Sequence, residues 1–200
     1  MESKRLSKYW LCLFVFFLSC STEKENDAFS NAPRPKGFSR IDLPKASYVS
    51  LEKGHPFSFE VSSYAKVLKD SVSWAEPHWL YIYYPRWDAF IQLTYKPLHQ
   101  NTKKLAALIQ DAYTLASKHQ GKASGIQDYV MTTRSGRKAG LIELEGEVAT
   151  SFQFYTTDST KHFLRGAVYV KTATANDSLA PIIKFIKQDA IHLIQTLEWK

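Results

Sequence analysis

The chain has 200 residues, 44% of them hydrophobic and 22% charged, which suits one packed domain and hardly two. Eight Gly and eight Pro exclude a low-complexity chain, and the formal net charge of +7 comes without the dense Lys/Arg stripe of a nucleic-acid surface. Five Trp, eleven Tyr and twelve Phe favour strand-rich structure.

Lys4, Arg5 and Lys8 precede an apolar run over 9–18 that stops abruptly at Ser19 and Cys20. A spanning helix needs about 20 apolar residues, so this shorter run reads as an export signal and not as a permanent anchor. Phe17-Leu18-Ser19-Cys20 resembles a bacterial lipobox, in which a small residue precedes the cysteine that takes the lipid. Residues 1–19 are therefore expected to be a lipoprotein signal peptide. Cys20 is expected to carry palmitate-type acyl chains that hold the protein on a bilayer. With Cys12 leaving in the signal and Cys20 acylated, the domain has no thiol for a disulfide, a zinc site or a nucleophile.

Residues 20–32 read as the lipidated cysteine and a polar, flexible tether. Residues 33–200 read as a single domain that opens with an extended basic strap over 33–45. There Pro33, Pro35 and Pro44 disfavour helix, and Arg34, Lys36, Arg40 and Lys45 oppose Asp42 alone. Two readings of the strap stay open: a segment pinned to the domain by Phe38, Ile41 and Leu43, or a basic docking segment for a partner.

Beyond the strap, Phe57, Phe59 and Val61 alternate as one face of a strand. Two aromatic strands, 79–84 and 90–95, flank Pro85-Arg86-Trp87-Asp88 as a hairpin. A helix is expected over 103–119, with Leu105, Leu108, Ile109, Ala112, Leu115 and Ala116 as its apolar stripe and Asn101 or Thr102 as cap. Four strands follow, at 127–133, 139–145, 151–157 and 162–170, with turns at Ser135-Gly136 and at Asp158-Ser159-Thr160-Lys161. A last helix over 179–197 carries Ile182, Ile183, Ile186, Ala190, Leu193, Ile194 and Leu197 on one face. Asp177 or Ser178 would cap it, and Pro181 would fall in its first turn. The order βββ-α-ββββ-α with short turns predicts an α+β domain: a mostly antiparallel sheet of about six or seven strands carrying two amphipathic helices. By analogy this is a PsbP/Mog1-like sandwich.

Chemistry is sparse in this pattern. His55, His78, His99, His119, His162 and His192 include no HxxxH or HxH pair, so no metal is expected. Asp158, Ser159 and His162 lie close in sequence, but Asp and Ser are ordinary turn residues and no G-x-S-x-G elbow accompanies them. Glu143, Glu145 and Glu147 alternate as either a carboxylate pair or a solvated strand face. No Gly-rich phosphate loop is present, and no cofactor is expected. Arg165 interrupts an apolar strand. It is expected either to face outward, to pair with Glu143 or Asp158, or to touch a partner.

The strap PRPKGFSRIDLP, the strand pair IYYPRWDAFIQLTYKP, the hairpin QFYTTDSTKHFLRGAVYV and the C-terminal NDSLAPIIKFIKQDAIHLIQTLEWK together resemble the gliding motility lipoprotein D (GldD) family of the Bacteroidetes. The lipobox cysteine, the tether and the length agree with it, although Phe38 stands where the family tends to have Tyr. The resemblance implies a non-enzymatic envelope lipoprotein, facing the periplasm from one of the two membranes. It further implies a requirement in gliding and a link to the type IX secretion machinery. It supplies no catalytic residues and transfers one role, lipidation, to Cys20. Partners are then the bilayer and proteins of gliding and secretion, with no nucleic acid. Docking candidates are Arg34, Lys36, Arg40, Tyr84, Trp87, Asp158, His162 and Arg165. The alternative is a lipoprotein that binds a glycan, lipid or peptide in an aromatic cleft formed by Trp74, Trp79, Trp87, Tyr81, Tyr83 and Tyr84.

Replacing Cys20→Ser should move the protein from the membrane pellet to the soluble fraction and abolish labelling by a palmitate analogue. Retention in the pellet without label would contradict lipidation at this residue.

Overall fold

Side-chain alternation is cleanest over β5 (Leu80–Tyr84) and β6 (Ala89–Pro97), where every second residue is buried, and these strands form the hairpin expected around Pro85. The computed structural model describes residues 41–171 and 176–200. Cys20 and the candidates Arg34, Lys36 and Arg40, with the signal, the tether and most of the strap, lie outside them. β4 (Lys66–Lys69), β7 (Ala123–Thr132), β8 (Lys138–Gly146), β9 (Thr150–Thr157) and β10 (His162–Val170) complete a seven-stranded sheet in the order β4-β5-β6-β10-β9-β8-β7. Every pairing in it is antiparallel.

The strand expected at Phe57–Val61 lies outside this sheet. It splits at Phe59 into β2 (Phe57–Ser58) and β3 (Glu60–Ser62), which serve two separate ribbons. β3 pairs with β1 (Tyr48–Ser50), and β2 pairs with the C-terminal β11 (Glu198–Trp199). Both chain ends of the described domain are thereby tied to one short stretch.

One face of the sheet holds the main core. α2 (Asn176–Thr196) lays Ile182, Phe185, Ile186, Ala190, Leu193 and Ile194 against Ile82, Ile91, Leu93, Leu164, Val168, Phe152 and Phe154. Each Leu, Ile, Val and Phe among them contributes about 1.5–3 kcal/mol on burial. α2 begins before the Asp177 and Ser178 capping candidates, so Pro181 lies a full turn inside the helix. There its ring removes an internal hydrogen bond. α1 (Thr102–Ser117) starts at Asn101, whose side chain accepts from the Lys104 N–H at 3.0 Å. It covers one end of the opposite face, where Ala116 meets Ile142, Leu144 and Val148. Its stripe is only partly used: Ala112 and Ala116 are buried, whereas Leu115 is exposed.

Two glycines admit aromatic rings into the sheet. Gly166 lies opposite Phe154 and Gly140 opposite Tyr155, and in each case an added Cβ would collide with the neighbouring ring. Substituting Gly166→Ala should therefore destabilise the domain by about 1–3 kcal/mol, read as a lower urea midpoint. An unchanged midpoint would mean that the Phe154 ring moves aside freely.

Candidate functional site

Asp158 and His162, close in sequence, are brought together at the end of the sheet where β6 and β10 meet. Asp158 Oδ1 accepts from three backbone N–H groups, those of Thr160 (3.0 Å), Lys161 (2.8 Å) and His162 (2.8 Å). Burial pushes the Asp158 carboxyl up, but these bonds outweigh it and hold the carboxyl below its usual range. The residue caps the turn. Ser159 sits in a left-handed conformation (φ 66°) with its N–H on Thr157 Oγ1, so the sequence triplet forms a turn and not a triad.

His162 is buried, which corrects its place among exposed docking candidates. Its Nδ1 lies 2.8 Å from the Tyr95 hydroxyl, and Asp158 Oδ2 lies 4.0 Å from its Nε2. Trp199 stacks on its ring at 5.1 Å between centroids. Burial, then the Asp158 charge, push the Tyr95 phenol up, so it stays protonated as a hydrogen-bonding group. Next to this pair, His99 and Gln100 are both left-handed (φ 52° and 59°), and Leu98 and Gln100 donate backbone bonds to Lys161 and Thr160. A cavity of about 400 Å³ opens there, lined by Tyr95, Pro97, His99, Gln100, Lys161 and His162. His55 and His78, distant in sequence, place their Nδ1 atoms 3.1 Å apart beside Phe57, and burial followed by His78 lowers the His55 pKa. Among the described residues no three His, Cys, Asp or Glu side chains converge as metal ligands.

Arg165 lies on the α1 face, half-buried, and its partner is Gln153: Nη2 donates to Oε1 at 2.5 Å. Neither Glu143 nor Asp158 takes it, because Glu143 sits on the opposite face and Asp158 is held in its turn. Burial lowers the Arg165 pKa, the expected direction for a cation without a carboxylate beside it. Glu143 instead pairs with Lys187 of α2 at 2.5 Å and accepts from the Tyr129 hydroxyl. Burial pushes Glu143 up, while the Lys187 and Tyr129 bonds pull it further down, below its usual range. Glu143 is therefore a pairing group, while Glu145 and Glu147 are exposed.

Tyr84 is the other correction. It is 1% exposed, with its hydroxyl donating to Asp189 Oδ2 at 3.0 Å. Trp87 is half-buried and packs on Phe185 at 5.1 Å and on Tyr84 at 6.0 Å. The six aromatics expected to line one cleft divide between places: Tyr84 and Trp87 face α2, Tyr81 and Tyr83 face the other way, and Trp74 is 73% exposed on the β4–β5 loop. Trp79 donates its indole N–H to the Tyr95 carbonyl and lies beneath Lys96.

Asp189, absent from the candidates above, occupies the middle of the buried face of α2 and is 3% exposed. It accepts from Tyr48 at 2.9 Å as well as from Tyr84. Burial pushes its carboxyl up more than the two hydroxyls bring it down, and the Tyr48 phenol is pushed up to about 12 by burial and by Asp189. The signal was positional: Asp189 shares the apolar stripe of Phe185, Ile186, Ala190 and Leu193 at helical spacing.

An antiparallel seven-stranded sheet with one fully seated helix defines an α+β domain of about 160 residues. A profile of the family described as gliding motility lipoprotein GldD matches residues 28–199, and the chain belongs to that family. Its class is thus a membrane-anchored lipoprotein of the cell envelope. No curated protein matches the chain. Among solved structures, cyanobacterial PsbP (CyanoP) from Synechocystis sp. PCC 6803 is similar at TM-score 0.45 and 11% identity, over 81% of this chain and 98% of that one.

Asp158→Ala should cost about 1–2 kcal/mol, because three N–H groups lose their acceptor. The Asp158 pKa is depressed in the fold, so its contribution is present above the unfolded value of 3.8 and is lost as pH falls through the folded value. The wild-type advantage over Asp158→Ala should therefore shrink on acidification below that range in urea titrations. A difference that stays constant down to pH 2 would contradict the capping role.

Proposed function

We propose that this lipoprotein acts as a non-enzymatic accessory or scaffold component of gliding, coupled to type IX secretion. It would be held on a periplasm-facing membrane surface by acylated Cys20. The observation that supports this most is the use of its polar residues. Asp158 caps a turn, Asp189 joins a helix to two strands, Glu143 pairs with Lys187, and Arg165 holds Gln153. Asp189, Glu143 and Arg165 each connect two elements of the fold, and Asp158 holds the turn between β9 and β10. Family membership supports the gliding assignment, and a lipid anchor raises the local concentration of the domain for partners on the same membrane. Protein partners are then other components of gliding and secretion.

The test is genetic complementation. Deleting the gene should abolish colony spreading and lower export of type IX cargo, and wild-type protein should restore both. Cys20→Ser should restore neither. Tyr95→Phe, which removes the hydroxyl facing His162, should restore both once its protein level matches wild type. Normal spreading and export in the deletion strain would overturn the reading. Failure of Tyr95→Phe at wild-type level would instead point to chemistry at the Tyr95–His162 pair.

A further inference from the structure

The two edges of the seven-stranded sheet are treated differently. β4 is four residues long and carries Lys66 and Lys69, the usual protection of an edge against pairing with another chain. β7 is ten residues long, pairs among the described residues with β8 alone, and contains neither Lys nor Pro. A bulge between Ala123 and Gly125 interrupts its start, leaving Ile126 to Thr132 in unbroken register. Three large apolar residues are exposed on this stretch: Ile126 at 40%, Tyr129 at 41% and Val130 at 64%. Val130 is bare for a local reason, since its neighbour on β8 is Gly140, which offers no side chain to cover it.

We propose that the outer edge of β7 is a docking site for an extended segment of a partner protein, which adds an eighth strand to the sheet. The occupant's chemistry follows from the α1 face of β7, which presents Ile126, Asp128 and Val130 in alternation. Asp128 is exposed and accepts a long 3.4 Å bond from Tyr113. The complementary strand has the spacing apolar–x–basic–x–apolar, its cation opposite Asp128 and its apolar residues beside Ile126 and Val130.

Two nearer occupants fit less well. A second copy would pair antiparallel about an axis normal to the sheet, so residues of one face oppose residues of that same face. The register that sets Ile126 against Val130 then sets Asp128 against Asp128, and like charges directly opposite are destabilising. Shifting by two residues sets an apolar side chain against the carboxylate. The chain's own strap lacks the required pattern: over 33–45 no basic residue has apolar residues two positions away on both sides, and three prolines remove ladder donors. This inference rests on the scaffold reading only in taking the partner to be a protein. Its test in solution is separate from spreading and secretion, so either can fail alone.

The probe is a peptide of sequence Thr-Val-Thr-Lys-Thr-Val-Thr, titrated to millimolar concentration into the folded domain while backbone amide signals are followed. Shifts and slowed hydrogen exchange should appear over 126–132. The Lys-centred peptide should bind about fivefold tighter than its Glu-centred counterpart. Asp128→Lys should invert that preference, and Val130→Ser should weaken both peptides alike. N-methylating the amides along one edge of the peptide should abolish binding, whereas methylating the other edge should not. Amide signals of β7 unmoved at millimolar peptide would overturn the proposal. So would a preference unchanged in Asp128→Lys that retains its near-ultraviolet spectrum.

Discussion

A single carboxylate sets the seating of the main helix. Asp189 projects from the apolar stripe of α2 into the core, where an unpaired carboxyl would cost several kcal/mol. It is tolerated because Tyr48 reaches it from β1 and Tyr84 from β5. The rotation of α2 that meets both hydroxyls also buries Phe185, Ile186 and Ala190. The same contact draws in the N-terminal ribbon: Tyr48 stacks on His192 at 3.6 Å, and His192 lies 2.6 Å from Glu60 on β3. Without a disulfide in the domain, this network and the packing around it fix how the ribbons, the sheet and α2 meet.

The sequence made the long elements legible, because their side chains carry the period of the structure. β5, β6, β8, β9, β10 and both helices stand within a few residues of where alternation or helical spacing places them. β1, β4 and β11 were invisible for a common reason. They are two to four residues long and owe their existence to a partner strand, so no face of their own had to be apolar. The stretch Phe57–Val61 has the pattern of one strand because Phe57, Phe59 and Val61 do share the core, yet their backbone serves two ribbons. Side-chain pattern reports burial, not pairing.

The candidate residues divide along the same line. Asp158 was legible as a turn former from its neighbours, and the structure adds its three N–H partners. Tyr84 could not be placed from sequence, since a Tyr beside a hairpin turn can point either way. Its burial follows from alternation with Ile82 and from the carboxylate waiting on α2, contributed more than a hundred residues later. The pairing of Arg165 with Gln153 likewise joins two strands through side chains that no local spacing links. A polar residue in a buried stripe, as at Asp189, is the sequence feature that best flags such long-range partners. The functional picture has the same shape: the family was readable from its motifs, whereas the β7 edge emerges only once strand order is known.

The most direct test of this account is a double-mutant cycle on Tyr84→Phe and Asp189→Asn, with urea unfolding and colony spreading measured on each variant. Contact through a shared buried bond predicts a coupling energy of about 1–2 kcal/mol between the two sites. Spreading should be retained wherever the protein accumulates to its normal level. Additive effects with no coupling would contradict the proposed seating of α2. Lost spreading from a fully stable, fully expressed variant would contradict the view that these buried polar groups serve the fold alone.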